Sequence, residues 1–320
     1  MITYILFIIG FVLLIKGADI LVDGSVSIAS KLNISSIVIG LTIVAFGTSA
    51  PELVVNIIAS ANGNTDIAIG NILGSNIANI FLILGVSSII YPIAAKKNTV
   101  LKEIPLSFLA AIVLGVMAND ALIDGNKGFS GLTRIDGIIL ICFFAIFLSY
   151  ILAIAMRSQE SPNEVEIKSM GYLKSIVFIC LGLAGLAIGG KWIVDGAVKI
   201  ARLFSVSESL IGLTVIAIGT SLPELAASAV AACKKQTDIA IGNVIGSNIF
   251  NIFWVLGISS IIRPLPFSPK SNFDILMTIF ASLVLFCSMF IGKKHMLKRW
   301  QGVFMVLIYV FYIIFLIIKR

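Results

Sequence analysis

Long apolar segments alternate with short polar segments along the whole chain. A helix needs about 20 predominantly apolar residues to cross the hydrocarbon core of a bilayer. The apolar runs and the breaks between them predict ten such helices. The predicted spans lie near residues 2–22, 36–60, 66–91, 103–118, 135–156, 173–193, 207–232, 238–263, 274–292 and 301–318. We therefore predict an all-α polytopic membrane protein.

The composition agrees with this pattern. The chain is 59% hydrophobic and 12% charged, whereas a soluble domain carries about 25% charged residues. With a mean hydropathy of +1.10, it cannot cover itself with polar surface in water. The net charge of +7 comes from basic residues in short loops, which favours contact with lipid headgroups over nucleic acid. The lipid bilayer is therefore an expected partner, and nucleic acid is not.

An internal repeat divides the chain. The most polar connection, RSQESPNEVEIKSM at 157–170, joins the fifth and sixth predicted spans. A shift of 172 places sets residues 39–92 on 211–264 with 33 identities in 54 positions and no gap. The matched residues include Gly, Thr, Ser, Pro, Glu and Asn, so the repeat is not an accident of apolar composition.

The number of spans in each copy predicts how the copies are oriented. Five is odd, so the second copy must enter the membrane from the opposite side, as in the inverted repeats of secondary transporters. We predict a first five-helix repeat at 1–156, a cytoplasmic connecting loop at 157–172 and a second five-helix repeat at 173–320.

The basic residues predict the orientation, because Lys and Arg are more frequent in cytoplasmic loops. Placing both termini outside puts 14 of the 23 lysines and arginines on the inner side. We therefore expect a multi-pass protein of the plasma (inner) membrane with both termini extracytoplasmic.

A glutamate follows a proline in the middle of an apolar run, and this happens twice. Residues 45–55 read AFGTSAPELVV and residues 217–227 read AIGTSLPELAA. A charged side chain at the centre of a bilayer costs at least ~2.5–3.5 kcal/mol, so Glu52 and Glu224 are candidate functional residues. The structural alternative is a protonated or ion-paired glutamate, but no Lys or Arg lies at that depth in either pair of repeat helices.

The residues around each glutamate can supply more oxygen atoms. Proline lacks an N–H, so a helix breaks or kinks there and leaves carbonyls without partners, which is tolerated in a membrane where they line a cavity. Thr48 and Ser49, with Thr220 and Ser221, add hydroxyl groups. These hydroxyls could instead bond back to the preceding turn. Such hard oxygen ligands suit Ca²⁺ or Na⁺.

The following spans carry a polar face. Residues four apart share one side of a helix, which places Asn71, Ser75 and Asn79 together. Their matches are Asn243, Ser247 and Asn251. Glycines four apart beside this face allow close helix packing. Hydrogen bonding between helices is the alternative role for the face. Asn76 and Asn248 lie off the face and are interpreted as packing or backbone contacts.

The charge of the paired glutamates suggests ion exchange. Two ionised glutamates give a site charge of −2, which one Ca²⁺ or several Na⁺ would neutralise. An empty, dehydrated site would hold two repelling charges and would tend to take up protons. A site that can hold either ion, but that resists changing sides while empty and charged, is the physical basis of obligatory exchange.

The paired pattern GTSxPE…GNxxGSNxxN on a ten-span chain resembles the sodium/calcium exchanger family of the cation/calcium exchanger superfamily, in particular its short prokaryotic members. The resemblance covers essentially the whole chain. It implies electrogenic Na⁺/Ca²⁺ antiport by alternating access, with the first and sixth spans sliding across an eight-helix core.

The resemblance also implies roles for single residues. Glu52 and Glu224 would be the central Ca²⁺ ligands, and Thr48 and Thr220 would help through their carbonyls. The residues implied for flanking Na⁺ sites are Ser49, Ser75, Ser221 and Ser247, with the backbone oxygens of Ala45 and Ala217.

One departure from the family concerns Asn79 and Asn251, which complete the predicted ligand set. Several branches carry an aspartate at one of these positions, and this chain has asparagine at both. The missing carboxylate argues against potassium co-transport.

Other functions remain as alternatives. Ca²⁺/H⁺ exchange on the same fold is the nearest, because the glutamates could return protons. The two half-site motifs, which would occlude the ion, argue against the continuous pore of a channel. An intramembrane hydrolase lacks a Ser–His, HExxH or paired Asp signature within the spans. No enzymatic activity and no cofactor are expected, and the transported ions are Ca²⁺ and Na⁺.

Two further pairs of charged residues have simpler interpretations. Asp66 and Asp238 precede the third and eighth spans, where a carboxylate favours the helix N-terminus. Lys16 and Asp19 are three apart on the first span and could form an ion pair.

Overall fold

The computed structural model describes residues 2–123, 125, 130–157, 170–204, 217–292 and 294–319. Helices make up nearly all of this part. The helices are α1 (Ile2–Lys31), α2 (Ser36–Thr48), α3 (Ala50–Ala61), α4 (Thr65–Ile90), α5 (Thr99–Met117), α6 (Asp120–Ile123), α7 (Arg134–Arg157), α8 (Tyr172–Leu203), α9 (Ala217–Thr220), α10 (Leu222–Cys233), α11 (Thr237–Ile262), α12 (Asn272–Ser288) and α13 (Arg299–Lys319). The prediction of an all-helical protein is confirmed.

The helices fit a protein that crosses the membrane many times. Among the described residues, seven helices are long and apolar enough to span a bilayer, and the bent pair α2 and α3 gives an eighth. The shorter apolar helices α10 and α12 overlap the predicted seventh and ninth spans. Residues 207–216 of the predicted seventh span lie outside the described residues.

Two helices are longer than their apolar runs predict. We expected the first span to end near residue 22 and the sixth near 193, but α1 continues to Lys31 and α8 to Leu203. The polar residues at the ends of these runs suggested a boundary. The helices continue because α1 and α8 pack along their length: a Cβ on Gly17 would lie 2.9 Å from the carbonyl oxygen of Gly182. Small residues permit such backbone contact.

Short strands join the two halves at both ends of α5. β1 (Ile93–Ala94) pairs antiparallel with β4 (Met296–Leu297), in the register Ile93↔Leu297. β2 (Gly131–Leu132) pairs antiparallel with β3 (Leu265–Pro266). Because α5 lies between β1 and β2 in the chain, one strand pair lies at each of its ends. The halves are thus hydrogen-bonded to each other on both sides.

The matched helices α4 and α11 form the centre of the molecule and are its most buried apolar helices. Each contains a wider, π-helical stretch at the matched place, Asn79–Leu84 in α4 and Phe250–Leu256 in α11. Such stretches are frequent at functional sites. The polar faces of α4 and α11 therefore lie inside the protein and away from lipid.

Candidate cation site

A break in each helix positions the two glutamates. The axes of α2 and α3 differ by 46° across Ser49, whose φ and ψ are −83° and 8°. Ser221, between α9 and α10, has nearly the same conformation at −86° and 5°. Pro51 and Pro223 cannot donate to the preceding turn, so each helix restarts at the break. Glu52 and Glu224 lie in the first turn of the new helix, where its dipole favours a carboxylate.

The structure brings both glutamates into contact with the opposite half. Ser49 donates to Glu224 Oε1 at 2.7 Å, and Ser221 makes a long contact of 3.5 Å to Glu52 Oε1. Ser75 also lies 3.4 Å from Glu52 Oε1. Each half thus holds the other's glutamate.

Both carboxylates are buried and only partly satisfied. Each residue is 1% exposed, and the second oxygen of each, Oε2, has no hydrogen-bond partner. Within the described part of the chain, neither forms an ion pair with Lys or Arg. Because a buried oxygen without a partner is unfavourable, these two atoms are suited to bind a cation.

The threonines of the two motifs also cross between the halves. Thr48 Oγ1 donates to Asn243 Oδ1 at 3.0 Å and lies 3.3 Å from the carbonyl of Ala45. Thr220 Oγ1 donates to Asn71 Oδ1 at 3.4 Å. The back-bond to the preceding turn therefore exists for Thr48, but it accompanies a shorter bond to the other half.

The remaining serines lie at the edges of this cluster. Ser247 Oγ is 3.4 Å from the Ala45 carbonyl, and Ser221 Oγ is 3.3 Å from Ser75 Oγ. Oxygen atoms at these separations can serve as ligands of one cation. Ala217 is the first residue of α9 and adjoins residues outside the described part.

Asn79 and Asn251 lie one helical turn beyond Ser75 and Ser247 and meet a second pair of asparagines. Asn79 Nδ2 donates to Asn248 Oδ1 at 2.9 Å, and Asn251 Nδ2 donates to Asn76 Oδ1 at 3.0 Å. The Oδ1 atoms of Asn79 and Asn251 are buried without a partner. Each amide thus has its nitrogen occupied and its oxygen available.

The asparagines interpreted as packing residues have a definite place. Asn76 Nδ2 lies 3.3 Å from the backbone carbonyl of Asn248, and Asn248 Nδ2 lies 3.5 Å from that of Asn76. The predicted backbone contacts are confirmed. Their role in holding Asn79 and Asn251 was missed. The sequence signal that could have indicated this role is that asparagine occupies both positions in each copy of the repeat.

Two further residues behind the site were also missed. Asn56 accepts from Asn71 Nδ2 at 2.8 Å, and Ser228 accepts from Asn243 Nδ2 at 2.9 Å. Each lies four residues after a glutamate, on the same helix face. A polar residue at that spacing was the signal that could have indicated them.

The donor set consists entirely of oxygen atoms from carboxylates, hydroxyls, amides and carbonyls. Such donors suit hard cations such as Ca²⁺ and Na⁺. No group of three or more His, Cys, Asp or Glu side chains that could hold a metal occurs among the described residues. The site offers two carboxylates, Glu52 and Glu224, and a larger number of neutral oxygen atoms.

Comparison with known proteins gives a family match over nearly the whole chain. The family model described as "Sodium/calcium exchanger protein" matches residues 2–153 and 174–318. The two matched ranges correspond to the two halves.

Two curated relatives are similar over most of their length. The chain is 33% identical over 349 residues to the sodium/calcium exchanger MaX1 of Methanosarcina acetivorans, covering 98% of each protein. It is 35% identical over 294 residues to the inner membrane protein YrbG of Escherichia coli, covering 88% of this chain and 87% of YrbG.

A solved structure shares the fold. The chain superimposes on the sodium-calcium exchanger NCX_Mj with a TM-score of 0.84 and 36% identity, covering 98% of each chain.

Proposed function

Because the chain belongs to the sodium/calcium exchanger family, we propose that it is a secondary active antiporter that exchanges Na⁺ for Ca²⁺. The relatives that match it are exchangers and membrane proteins rather than enzymes. One observation carries the proposal. Two buried glutamates, one from each half, are each held by a serine of the other half and each keep one oxygen without a partner.

In this proposal the carboxylates bind Ca²⁺. Glu52 and Glu224 together supply a charge of −2, which one Ca²⁺ neutralises, and the carbonyls of Thr48 and Thr220 complete its oxygen shell. Mg²⁺ sheds its water reluctantly and usually keeps several waters, so it suits this buried site less well.

Sodium ions would occupy the flanking oxygens of the same site. The proposed Na⁺ ligands are Ser49, Ser75, Ser221 and Ser247, with the carbonyls of Ala45 and Ala217 and the amide oxygens of Asn79 and Asn251. The short Ser247–Ala45 and Ser221–Ser75 separations support pairs of ligands on either side of the carboxylates. Because one Ca²⁺ or several Na⁺ would neutralise the same two glutamates, binding of one ion would displace the other.

We propose ten spans in two inverted five-helix repeats, 1–156 and 173–320, joined by a cytoplasmic loop at 157–172. Both termini would lie outside the plasma membrane. Alternating access would come from the paired helices α1 and α8 sliding across the remaining helices. Their glycine contacts support motion of the two helices as one unit.

Calcium uptake by reconstituted protein tests the proposal. Vesicles loaded with Na⁺ and diluted into Na⁺-free buffer at constant pH should accumulate ⁴⁵Ca²⁺, and K⁺-loaded vesicles should not. Glu52→Gln and Glu224→Gln should each reduce uptake at least about 100-fold, because a carboxylate ligand is lost.

A matched control removes a buried glutamate elsewhere. Glu103 is 2% exposed and accepts a hydrogen bond from Tyr150, outside the candidate site. Glu103→Gln should retain uptake. Normal uptake by either Glu52→Gln or Glu224→Gln would remove that residue from the site.

Ca²⁺/H⁺ exchange is the second candidate function. The unpartnered carboxylate oxygens at Glu52 and Glu224 favour it, because protons could occupy them when the site holds no metal ion. Uptake that follows a pH gradient and ignores a Na⁺ gradient would replace the first proposal with this one.

A further inference from the structure

Two hydrogen-bonded series of side chains, all buried except the half-buried Asn71, end on the threonines of the site. The first series, here called the first relay, runs from the Ala68 carbonyl through Asn56 and Asn71 to Thr220. The second relay runs from the Glu224 carbonyl and Ser228 through Asn243 to Thr48. Each relay starts in one half and ends on a threonine of the other.

The first relay has only one possible direction. The Ala68 carbonyl can only accept, so Asn56 must present its Nδ2, which lies 2.9 Å away. Asn56 Oδ1 can then only accept, and Asn71 must present its Nδ2, at 2.8 Å. Asn71 Oδ1 is left facing Thr220 at 3.4 Å, so the threonine hydroxyl must be the donor. A single backbone carbonyl thus fixes which atom of Asn71 faces Thr220.

The second relay reaches the same result by a shorter route. Asn243 Nδ2 lies 3.3 Å from the Glu224 carbonyl and 2.9 Å from Ser228 Oγ. The carbonyl can only accept, so Asn243 presents its Oδ1 to Thr48, whose hydroxyl must donate at 3.0 Å. The Ala45 carbonyl lies 3.3 Å from the same hydroxyl, so the Asn243 amide oxygen is the nearer of the two acceptors of Thr48.

We propose that Asn71 and Asn243 are positioning residues of the cation site, and that Asn56 and Ser228 hold them in the required direction. The inference rests on the proposed function and adds residues that bind no ion themselves. Because the amide oxygen of each asparagine accepts a hydrogen bond from a threonine hydroxyl, the lone pairs of that hydroxyl oxygen stay available to a cation. The bond also fixes the threonine side chain, and with it the carbonyl of the same residue.

Burial makes the relays specific. Asn56, Ser228 and Asn243 are 0% exposed, so water does not replace a lost partner. A buried donor or acceptor without a partner is unfavourable, and reversal of one amide would leave two such mismatches.

A double-mutant cycle between residues that do not touch tests the first relay. Asn56→Leu and Thr220→Val should each raise the half-saturating Ca²⁺ concentration about 10-fold. The double variant should be no worse than the more affected single variant, because both changes break one relay. The maximal rate should change much less than the half-saturating concentration, because neither substitution removes a carboxylate ligand.

Two variants control for a general structural defect. Asn56→Leu combined with Thr48→Val, which belongs to the other relay, should give multiplied effects of about 100-fold. Asn56→Ser installs the residue that the second half has at the matched position, and it should stay within about 2-fold of wild type because Asn71 keeps an acceptor.

The cycle separates failure of this inference from failure of the proposed function. The relay would be refuted, with the proposed function intact, by either of two results in a protein whose wild type transports Ca²⁺. One is a double variant Asn56→Leu/Thr220→Val whose half-saturating Ca²⁺ concentration is raised by the product of the two single effects. The other is an unchanged half-saturating Ca²⁺ concentration in Asn56→Leu. If wild type takes up no Ca²⁺, the proposed function fails. The cycle is then repeated with whichever of Na⁺, Mg²⁺ or Sr²⁺ raises the wild-type melting temperature, and that rise is the measured quantity. If none of these ions stabilises the wild type, both the relay and the proposed function are refuted.

Discussion

The central asparagines of the two halves make matching contacts, whereas the ion pairs at one end of the molecule have no match in the other half. Asn76 and Asn248 donate to each other's backbone carbonyl. At the turn between α10 and α11, Lys234 Nζ lies 2.7 Å from Asp19 Oδ1 and 2.6 Å from Asp23 Oδ1 of α1. The position 172 residues earlier is the neutral Asn62. An ion-pair contact therefore ties α1 to the rest of the protein at one end, and its counterpart is missing from the sequence at the other.

A second ion pair repeats this asymmetry. Lys96 pairs with Asp238 at 3.4 Å, whereas the matched positions are Ser268 and Asp66. The difference between centre and ends indicates two separate constraints. A cation must meet the same ligands from both sides, which keeps the centre alike. The ends face different solutions and can diverge, so they can favour one orientation of the transporter.

The largest expected effect is on transport, and it tests whether the two matching glutamates act as one site. If Glu52 and Glu224 form one site, the double variant Glu52→Gln/Glu224→Gln should transport no less Ca²⁺ than either single variant, because each single change already removes the site. Residual ⁴⁵Ca²⁺ uptake by the three variants is the measurement. A further large loss in the double variant would indicate two independent sites.

A large effect on stability is expected at the central asparagines. Asn76→Leu should leave Asn251 Nδ2 without its acceptor, at about 1–3 kcal/mol for a buried group. Asn248→Leu should do the same for Asn79 Nδ2. Thermal unfolding in detergent should show equal losses of melting temperature for the two variants. Unequal losses would show that the reciprocal contacts are not equivalent.

The two serines beside the glutamates should differ in effect. Ser49 donates at 2.7 Å to Glu224, whereas Ser221 lies 3.5 Å from Glu52. Ser49→Ala should raise the half-saturating Ca²⁺ concentration about 10-fold and Ser221→Ala about 2-fold, since hydrogen bonds to charged groups contribute about 1.5–3 kcal/mol when short. Equal effects would mean that the two contacts become alike once Ca²⁺ is bound.

The smallest expected effect concerns the ion pairs at the end of the molecule. Lys234 is partly exposed, at 27% of its side chain, and exposed ion pairs contribute about 0–1 kcal/mol. Lys234→Ala should change the ratio of apparent Ca²⁺ affinities on the two sides by about 2–5-fold, and high salt should reduce the change. Asn62→Ala is the matched control and should leave the ratio unchanged.

The central residues could be predicted from the sequence because the same polar residues occur in both copies of the repeat. Glu52, Ser75 and Asn79 recur at a fixed offset inside apolar helices, and helical spacing places them on defined faces. The structure brings those faces together across the two halves. Their assignment as ligands is still a prediction.

Partners across the fold could not be predicted, because spacing within one helix does not indicate which helix lies opposite. We expected Lys16 to pair with Asp19, and this was wrong: Asp19 pairs with Lys234, more than 200 positions away. The link from Asn56 through Asn71 to Thr220 was missed for the same reason. The full length of α1 was missed because its polar residues meet protein rather than water.

The short strands also bear on how the protein is made. Ile93 pairs with Leu297, which the ribosome adds 204 residues later. At about 5–20 residues per second, that delay is about 10–40 s. Throughout this interval the strand edge at Ile93 has no mate, although its flanking helices can already be in the bilayer. This strand pair can therefore close only after nearly the whole chain has been made.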